Sequence, residues 1–310
     1  MINLFQTQDY LSFLKNTALQ PFSYSISENG IELGRIQGYV QKDGGPIKRF
    51  LSRRAIINGG PFLKEDITEE GLTKLIMQCV NNLKRSVIYI EIRNFADYSG
   101  VRPIFEKCGF IYEPHYDFII NTETMEVAEN NLGKSRKRDI KSSLNKGATI
   151  IENPSEEQVV SFYLILRDLY KKRVKTPLFP IDFFLTLYHS CFCRFLLVSY
   201  QQEIIGGTVC VFDDNTVYEW FACGKDGTIK SVFPSTLATW AGIRFAAQSG
   251  RKVFDMMGAG APGDGGYGVR DFKAKFGGEL VEYGRFKYIC NKTLYKIGEI
   301  GVNLLKKHSK

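Results

Sequence analysis

The sequence lacks the patterns of a disulfide framework, a zinc site and a membrane span. Its seven cysteines are odd in number and none are spaced C-x-x-C, so we expect reduced thiols in a cytosolic protein. The segment MINLFQTQDY has no basic start followed by an apolar stretch, which predicts that there is no signal peptide. In the most apolar window, residues 179–200, Asp182, His189 and Arg194 interrupt the run, and this favours a core helix and strand over a membrane span.

Hydrolase and nucleotide-binding motifs are missing as well. None of the three histidines lies in H-E-x-x-H, and neither G-x-S-x-G nor G-x-x-x-x-G-K-[ST] occurs. The loop 258–268, GAGAPGDGGYG, contains six glycines. The elements around it are typical of antiparallel strands rather than a βαβ unit, which disfavours a dinucleotide site. We interpret it as a mobile active-site loop; the alternative is a long disordered connection.

What the sequence has in excess is positive charge, concentrated in two places. With 41 Lys and Arg against 33 Asp and Glu, the net charge of the 310 residues is +8. Residues 134–146 (KSRKRDIKSSLNK) and 167–175 (RDLYKKRVK) carry +5 and +4 of local charge. Such clusters indicate an anionic partner, and on a helix Lys134, Arg138 and Lys141 would share one side. A solvated helix face is the open alternative.

An internal similarity predicts two copies of one α+β domain, as the length also suggests. Gly100-Val101-Arg102 precedes Gly109 by nine residues, and Gly268-Val269-Arg270 precedes Gly277 by the same nine. The offset between the two segments is 168 residues. Because polar residues dominate from 122 to 146, we place the boundary near 128, giving domains 1–128 and 129–310. Chance similarity of two common patterns is the alternative.

The segment 272–278, FKAKFGG, is the densest candidate site. Phe272 and Phe276, four residues apart, would anchor one face of a short helix, and Lys273 and Lys275 would point elsewhere. A cation beside a glycine-rich loop suits acyl transfer, in which negative charge develops on the carbonyl oxygen. Lys275 is the competing candidate because Lys107 matches it in the first repeat. Two surface lysines are the alternative.

The sequence resembles the FemABX peptidyltransferases, members of the wider GNAT-like acyltransferases. The resemblance is carried by Asn58-Gly59-Gly60-Pro61, the basic segment 136–147, Ile205-Gly206-Gly207-Thr208, Trp240-Ala241-Gly242-Ile243, and Phe254-Asp255-Met256 through Phe272-Lys273 to Phe276-Gly277. It implies an α+β fold of two tandem GNAT-like domains, with mixed, mostly antiparallel sheets flanked by helices and a cleft between the domains. The second domain would contain the basic helix, the glycine-rich loop and a C-terminal helix.

The resemblance also implies a reaction, the transfer of an aminoacyl group from aminoacyl-tRNA to an amine of a peptidoglycan precursor. The family's lysine in F-K-x-x-F-G corresponds to Lys273. Two features depart from the pattern: there is no room for a long helical arm, and residues 230–237, KSVFPSTL, replace the usual pyrophosphate loop. The first concerns the use of tRNA, and the second weakens acetyl-CoA as the donor.

We therefore expect a cytoplasmic N-acyltransferase acting on a cell-wall or envelope precursor, with peripheral contact to the inner face of the membrane. The donor is aminoacyl-tRNA or acyl-CoA, the acceptor is anionic and nucleotide- or lipid-linked, and no metal, cofactor or stable protein partner is implied. An acyl-CoA-dependent enzyme for amino sugars or lipids and a non-catalytic polyanion-binding module remain alternatives. The candidate catalytic residues are Lys273 and Lys275. The candidate substrate-binding residues are Arg136, Arg138, Lys141, Trp220, Gly258, Gly260, Tyr267 and Arg270.

Overall fold

The chain folds into two compact α+β units. The computed structural model describes residues 2–174, 177–263 and 268–307, with only the backbone of 46–48 and 302–307. By their internal contacts, the first unit comprises Met1–Pro114 and Tyr283–Lys310, and the second comprises His115–Glu282.

The first unit begins with a short 3-10 helix and is built around one sheet. Its helix α3 buries one face, with Leu72, Leu75, Ile76 and Cys79 at helical spacing. The elements up to residue 113 are α1 (Gln8–Lys15), β1 (Gln20–Glu28), β2 (Ile31–Gln41), α2 (Pro46–Leu51), β3 (Arg54–Asn58), β4 (Phe62–Leu63), α3 (Glu69–Leu83), β5 (Tyr89–Arg93), α4 (Arg102–Lys107) and β6 (Ile111–Glu113).

The second unit repeats this plan with a second sheet. Ser155 caps its helix α7 through a capping box with Gln158, as Ser155 at this position predicts. The elements are β7 (Tyr116–Asn121), α5 (Met125–Asn131), α6 (Lys134–Asn145), β8 (Thr149–Ile151), α7 (Glu156–Leu169), α8 (Ile181–Tyr188), β9 (Cys193–Tyr200), β10 (Glu203–Phe212), β11 (Thr216–Gly224), α9 (Pro234–Gln248), β12 (Val253–Asp255), α10 (Gly268–Ala274) and β13 (Glu279–Glu282).

The last two elements, β14 (Arg285–Ile289) and α11 (Lys292–Lys307), return to the first unit. The first sheet has the order β1-β2-β3-β5-β14-β6, with β4 beside β2, and the second has the order β13-β7-β12-β11-β10-β9-β8. Each sheet is antiparallel except for one parallel pair, β3 with β5 in the first and β11 with β12 in the second.

The two repeats exchange their last strands. β7 follows β6 in the chain but pairs with β12 and β13, whereas β14 follows β13 but pairs with β5 and β6. The exchange keeps the register: Ile111 pairs with Lys287, and Ile119 pairs with Glu279, each partner lying 168 residues from its counterpart in the other pair. The structure thus confirms in its topology the internal similarity seen in the sequence.

The division between the units differs from the one drawn near residue 128. The contacts change unit after Pro114 and again after Glu282. The reason is that strand pairing decides membership: β7 lies in the second sheet and β14 in the first. A polar stretch marks surface residues, and here it covers α5 and α6, which pack on α9.

Helix α9 forms the centre of the second unit. Ten of its 15 residues are buried, so the helix is apolar on nearly all sides, as expected of a helix enclosed in a core. Within the described residues, no helix is both long and apolar enough to cross a membrane.

Candidate active site in the second unit

The two parallel strands of the second sheet pair over only three residues. Thr216–Tyr218 of β11 pair with Val253–Asp255 of β12, after which β12 ends while β11 continues to Gly224. In open sheets, ligands bind at the carboxyl ends of parallel strands where neighbours diverge. The end of this pairing therefore marks the candidate site.

A β-bulge in β11 lies at the same place. Cys210 of β10 pairs with Glu219 while Val209 pairs with Phe221, so Trp220 is an extra residue. A bulge redirects the side chains beside it and is frequent next to active sites. Here it adjoins Glu219.

Four ionisable side chains from four elements are buried together beside the bulge. Asp117 of β7, Glu219 of β11 and Asp255 of β12 are 5%, 6% and 1% exposed, and Lys273 of α10 is 9% exposed. The electrostatic influence of the Lys273 ammonium reaches all three carboxyl groups. Three acids and one lysine away from water form an environment in which protonation states depart from those in solution.

The two aspartates form a proton-sharing pair. Burial raises the pKa of Asp255 well above its ordinary value, and the neighbouring Asp117 raises it further. Burial also raises the pKa of Asp117, against the lowering effect of Lys273. Backbone N–H groups of Phe118 and Met257 donate to Asp117 and Asp255, both at 2.7 Å. These contacts fix the two carboxyl groups so that one of them holds a proton.

Glu219 is the candidate proton acceptor. Burial raises its pKa, while the Lys273 ammonium and the hydroxyl groups of Thr239 and Thr208 lower it. A carboxyl group whose pKa lies above its solution value is better suited to accept a proton from an amine near neutral pH.

Lys273 fixes the beginning of the glycine-rich loop. Its ammonium donates to the carbonyl oxygens of Met256 and Gly258, the latter at 2.7 Å. Gly258 has φ +92°, a conformation that glycine adopts at little cost. Lys273 therefore both carries charge into the cluster and holds the backbone that follows β12.

Arg270, one turn earlier on α10, continues this anchoring. Its guanidinium donates to the carbonyls of Ala259 (2.9 Å) and Ala261 (2.5 Å) and stacks 5.0 Å above the Tyr116 ring. The carbonyl of Gly260 accepts from the Tyr116 N–H at 2.9 Å. The loop was expected to be mobile, but its residues 256–261 are tied to α10 and β7. Tyr267 lies outside the described residues.

Lys275 takes no part in the cluster. Its side chain is exposed, and its carbonyl accepts a 3.0 Å hydrogen bond from Gly133. Phe276 is fully buried and contacts Phe272, as the four-residue spacing predicts. The anchored helix thus directs Lys273 inward and Lys275 outward.

Arg136 was expected to bind phosphate, but the structure places it elsewhere. Its guanidinium is buried, donates to Thr236 Oγ1 and to the Phe272 carbonyl (both 3.1 Å), and lies 4.3 and 4.9 Å from the Phe272 and Phe276 rings. Helical periodicity explains the difference, because Arg136 shares the inward face of α6 with Asp139, Ile140 and Ser143. It supports the helix that carries Lys273.

The outward face of α6 is basic. Lys134, Lys137, Arg138 and Lys141 are exposed at i, i+3, i+4 and i+7, and Arg138 contacts Asp139 at 3.0 Å. Of the predicted phosphate ligands, Arg138 and Lys141 are therefore available to a ligand from solvent.

Trp220 belongs to an aromatic group on β11 and α8. Its ring is half-buried, 5.6 Å from Phe183 edge-on and 5.6 Å from Phe221 in a stacked arrangement. This places it at the bulge next to Glu219.

Sequence reasoning missed Asp117, Glu219 and Asp255 as functional candidates. Each is a single acid within an apolar or aromatic strand segment (YDFII, YEWF and VFD), and a carboxyl group in such a segment is rarely buried without a partner. That signal was present, but only the fold brings the three together. Within the described ranges, no group of three or more His, Cys, Asp or Glu residues is arranged to hold a metal ion.

Comparison with known proteins agrees with this fold. Residues 134–274 match the acetyltransferase (GNAT) domain family, and no curated protein matches the sequence. The solved structure of FemX has a TM-score of 0.70 at 14% identity, covering 95% of this chain and 94% of its own.

Two further structures are similar over most of their length. The C-terminal domain of a putative lysylphosphatidylglycerol synthetase from Agrobacterium fabrum has a TM-score of 0.63 at 12% identity, covering 97% of this chain and 92% of its own. A tandem GNAT protein from the clavulanic acid biosynthesis pathway has a TM-score of 0.56 at 12% identity, covering 91% and 87%. The chain thus has the fold of FemX and of tandem GNAT proteins, with a GNAT acetyltransferase domain at residues 134–274, and its predicted resemblance to the FemABX family is confirmed as a resemblance of fold.

Proposed function

We propose that the second unit catalyses N-acyl transfer, moving an aminoacyl or acyl group from an activated donor to an amine. The observation that carries this proposal is the buried group of Lys273, Glu219, Asp117 and Asp255 where the pairing of β11 with β12 ends. It combines a proton acceptor with a fixed cation, the two groups that attack of an amine on an ester or thioester requires.

In the proposed step the acceptor nitrogen attacks the donor carbonyl carbon directly. A C–N bond forms and the C–O or C–S bond to the donor breaks, so no covalent enzyme intermediate is needed. Glu219 accepts the proton that the nitrogen loses, and the departing oxygen or sulfur takes up a proton. Lys273 stabilises the negative charge that develops on the carbonyl oxygen, both by its ammonium and by fixing the loop 256–261.

The donor we propose is aminoacyl-tRNA or acyl-CoA, and the acceptor is an anionic, nucleotide- or lipid-linked precursor of the cell wall or envelope, used in the cytoplasm. The exposed basic face of α6 supports an anionic substrate. The fold shared with FemX supports the same class of reaction. An acyl-CoA-dependent enzyme for amino sugars or lipids is distinguished from it by the donor that is consumed.

Lys273→Ala is expected to lower kcat about 10²–10³-fold, the usual cost of removing one oxyanion-stabilising group. Lys275→Ala, two residues away but exposed, should leave kcat nearly unchanged. Steady-state kinetics of both variants, each with its melting temperature measured, provide the test. If Lys275→Ala loses activity while Lys273→Ala keeps it, the assignment of the cation is wrong.

Replacing Arg138 and Lys141 together with alanine is expected to raise KM and flatten its dependence on salt. Each charge-assisted contact to a phosphate contributes about 1.5–3 kcal/mol, and both side chains are exposed. Arg136→Ala, by contrast, should lower the melting temperature, because it removes buried contacts. KM measured at several salt concentrations tests this, and a salt dependence identical to that of the wild type would reduce the basic face to a solvated surface.

A further inference from the structure

A cavity in the first unit combines cations and aromatic rings far along the chain from the proposed catalytic residues. Its volume is about 510 Å³, and it lies between α2, the strands β3, β5 and β14, and α11. The residues that line it are Leu51, Ser52, Arg54, Ile88, Tyr89, Lys287, Leu294, Tyr295, Gly298 and Glu299.

Two cations are held at fixed positions in this cavity. Arg54 donates to Asp43 at 2.6 Å and to the carbonyl of Ser52 at 3.0 Å, both through one nitrogen. The Lys287 ammonium is 2.7 Å from Glu113 and 5.9 Å from the ring centres of Tyr89 and Tyr295. Their side chains are only 18% and 14% exposed, so the carboxylates orient them while further N–H groups remain to meet an anion.

The surface beside the cavity is unusually apolar. Phe50 of α2 is 52% exposed, and Ile297 and Ile300 of α11 are 47% and 59% exposed. Ile297 and Ile300 lie three residues apart, on one face of the helix, while Leu294, Tyr295 and Gly298 line the cavity. One helix therefore presents one set of side chains to the cavity and an apolar pair to solvent.

The same surface is basic. Arg49, Lys292 and Lys296 are exposed, and the Arg53 guanidinium lies 4.4 Å above the Phe50 ring. Together with Arg54 and Lys287 this gives six cations, against the acids Asp43, Glu113 and Glu299. An exposed apolar face bordered by lysine and arginine is typical of helices that lie in the interface of an anionic membrane.

We propose that α2 and α11 form a binding site for an anionic phospholipid. The phosphate of the headgroup enters the cavity beside Arg54 and Lys287, and Phe50, Ile297 and Ile300 contact the acyl region. A soluble phosphate compound would use the cations but leave the apolar side chains without a role, which is why we favour the lipid. This site is independent of the acyl-transfer proposal.

Co-sedimentation of the full chain with vesicles tests the proposal without any acyl donor. We expect binding to phosphatidylcholine vesicles that contain phosphatidylglycerol, and much less to phosphatidylcholine alone. The double variant I297S/I300S should bind at least about tenfold more weakly, since it loses two apolar side chains that enter the interface. L164S, a matched control on α7 with 45% exposure, should bind like the wild type.

Arg54→Gln separates headgroup recognition from general attraction to a charged surface. It should reduce the preference for phosphatidylglycerol while thermal unfolding shows that the fold is kept. Equal binding of wild type and I297S/I300S, or no vesicle binding by the wild type, overturns the proposal. If glycerol 3-phosphate in solution binds and competes while I297S/I300S behaves like the wild type, the cavity takes a soluble phosphate and the lipid assignment is wrong.

Discussion

Glu219→Gln is expected to lower kcat by about 10²–10⁴-fold, the range found when a general base is removed. Glutamine keeps the size and hydrogen-bonding capacity of the side chain but cannot accept the proton of the attacking amine. Because burial raises the pKa of Glu219, the carboxylate becomes available only as the pH rises through that raised value. The wild-type rate should therefore fall on acidification, and this acidic limb should be absent from the residual activity of the variant.

Glu203→Gln is the matched control, since Glu203 lies on the neighbouring strand β10 with its side chain exposed. Its pH–rate profile should follow that of the wild type. If Glu219→Gln retains full kcat and the same acidic limb, the proton is accepted elsewhere. Asp117 and Asp255 would then be the next groups to replace.

Removal of residues 283–310 is expected to abolish cooperative folding of the first unit. The truncation deletes β14 from between β5 and β6, leaving two strands with unpaired backbone groups in the middle of a sheet. It also removes Phe286, which is fully buried and stacks at 4.5 Å on the ring of Phe105. Thermal unfolding followed by circular dichroism would show the loss of one transition.

Phe286→Ala separates the effect of the strand from that of α11, which the truncation also deletes. A buried phenylalanine replaced by alanine costs about 3–5 kcal/mol of unfolding free energy. Ile111→Ala, at an exposed position of the adjacent strand β6, should change it by only about 0.5 kcal/mol. Urea denaturation of both variants provides the measurement, and a truncated chain that unfolds like the full chain would contradict the role of the exchanged strand.

Much of the fold could be predicted from local patterns. Apolar spacing predicted α3, Ser155 predicted the start of α7, and the 168-residue offset predicted the paired topology. The strand exchange could not be predicted, because β7 and β14 have the same local character in either sheet. Strand partners depend on tertiary contacts that a residue pattern does not contain.

The site was predicted in part for the same reason. Lys273 was selected because aromatic spacing, charge and glycines coincide within one short segment. Arg136 was misplaced because a charge run does not reveal which of its members faces inward. Its two aromatic neighbours, Phe272 and Phe276, lie more than 130 residues away in the chain. Glu219 and Asp255 were not recognised because their partners come from other strands and from α10.

The most direct test of the central claim is mass spectrometry of an amine acceptor after incubation with the chain and a panel of aminoacyl-tRNA and acyl-CoA donors. The account predicts that one donor yields an acceptor heavier by the transferred acyl group minus one hydrogen. This product should be strongly reduced with Lys273→Ala and Glu219→Gln and unchanged with Lys275→Ala. Amide product formed equally well by Lys273→Ala and Glu219→Gln would contradict the account, as would no product from any donor by a wild-type chain that binds its acceptor.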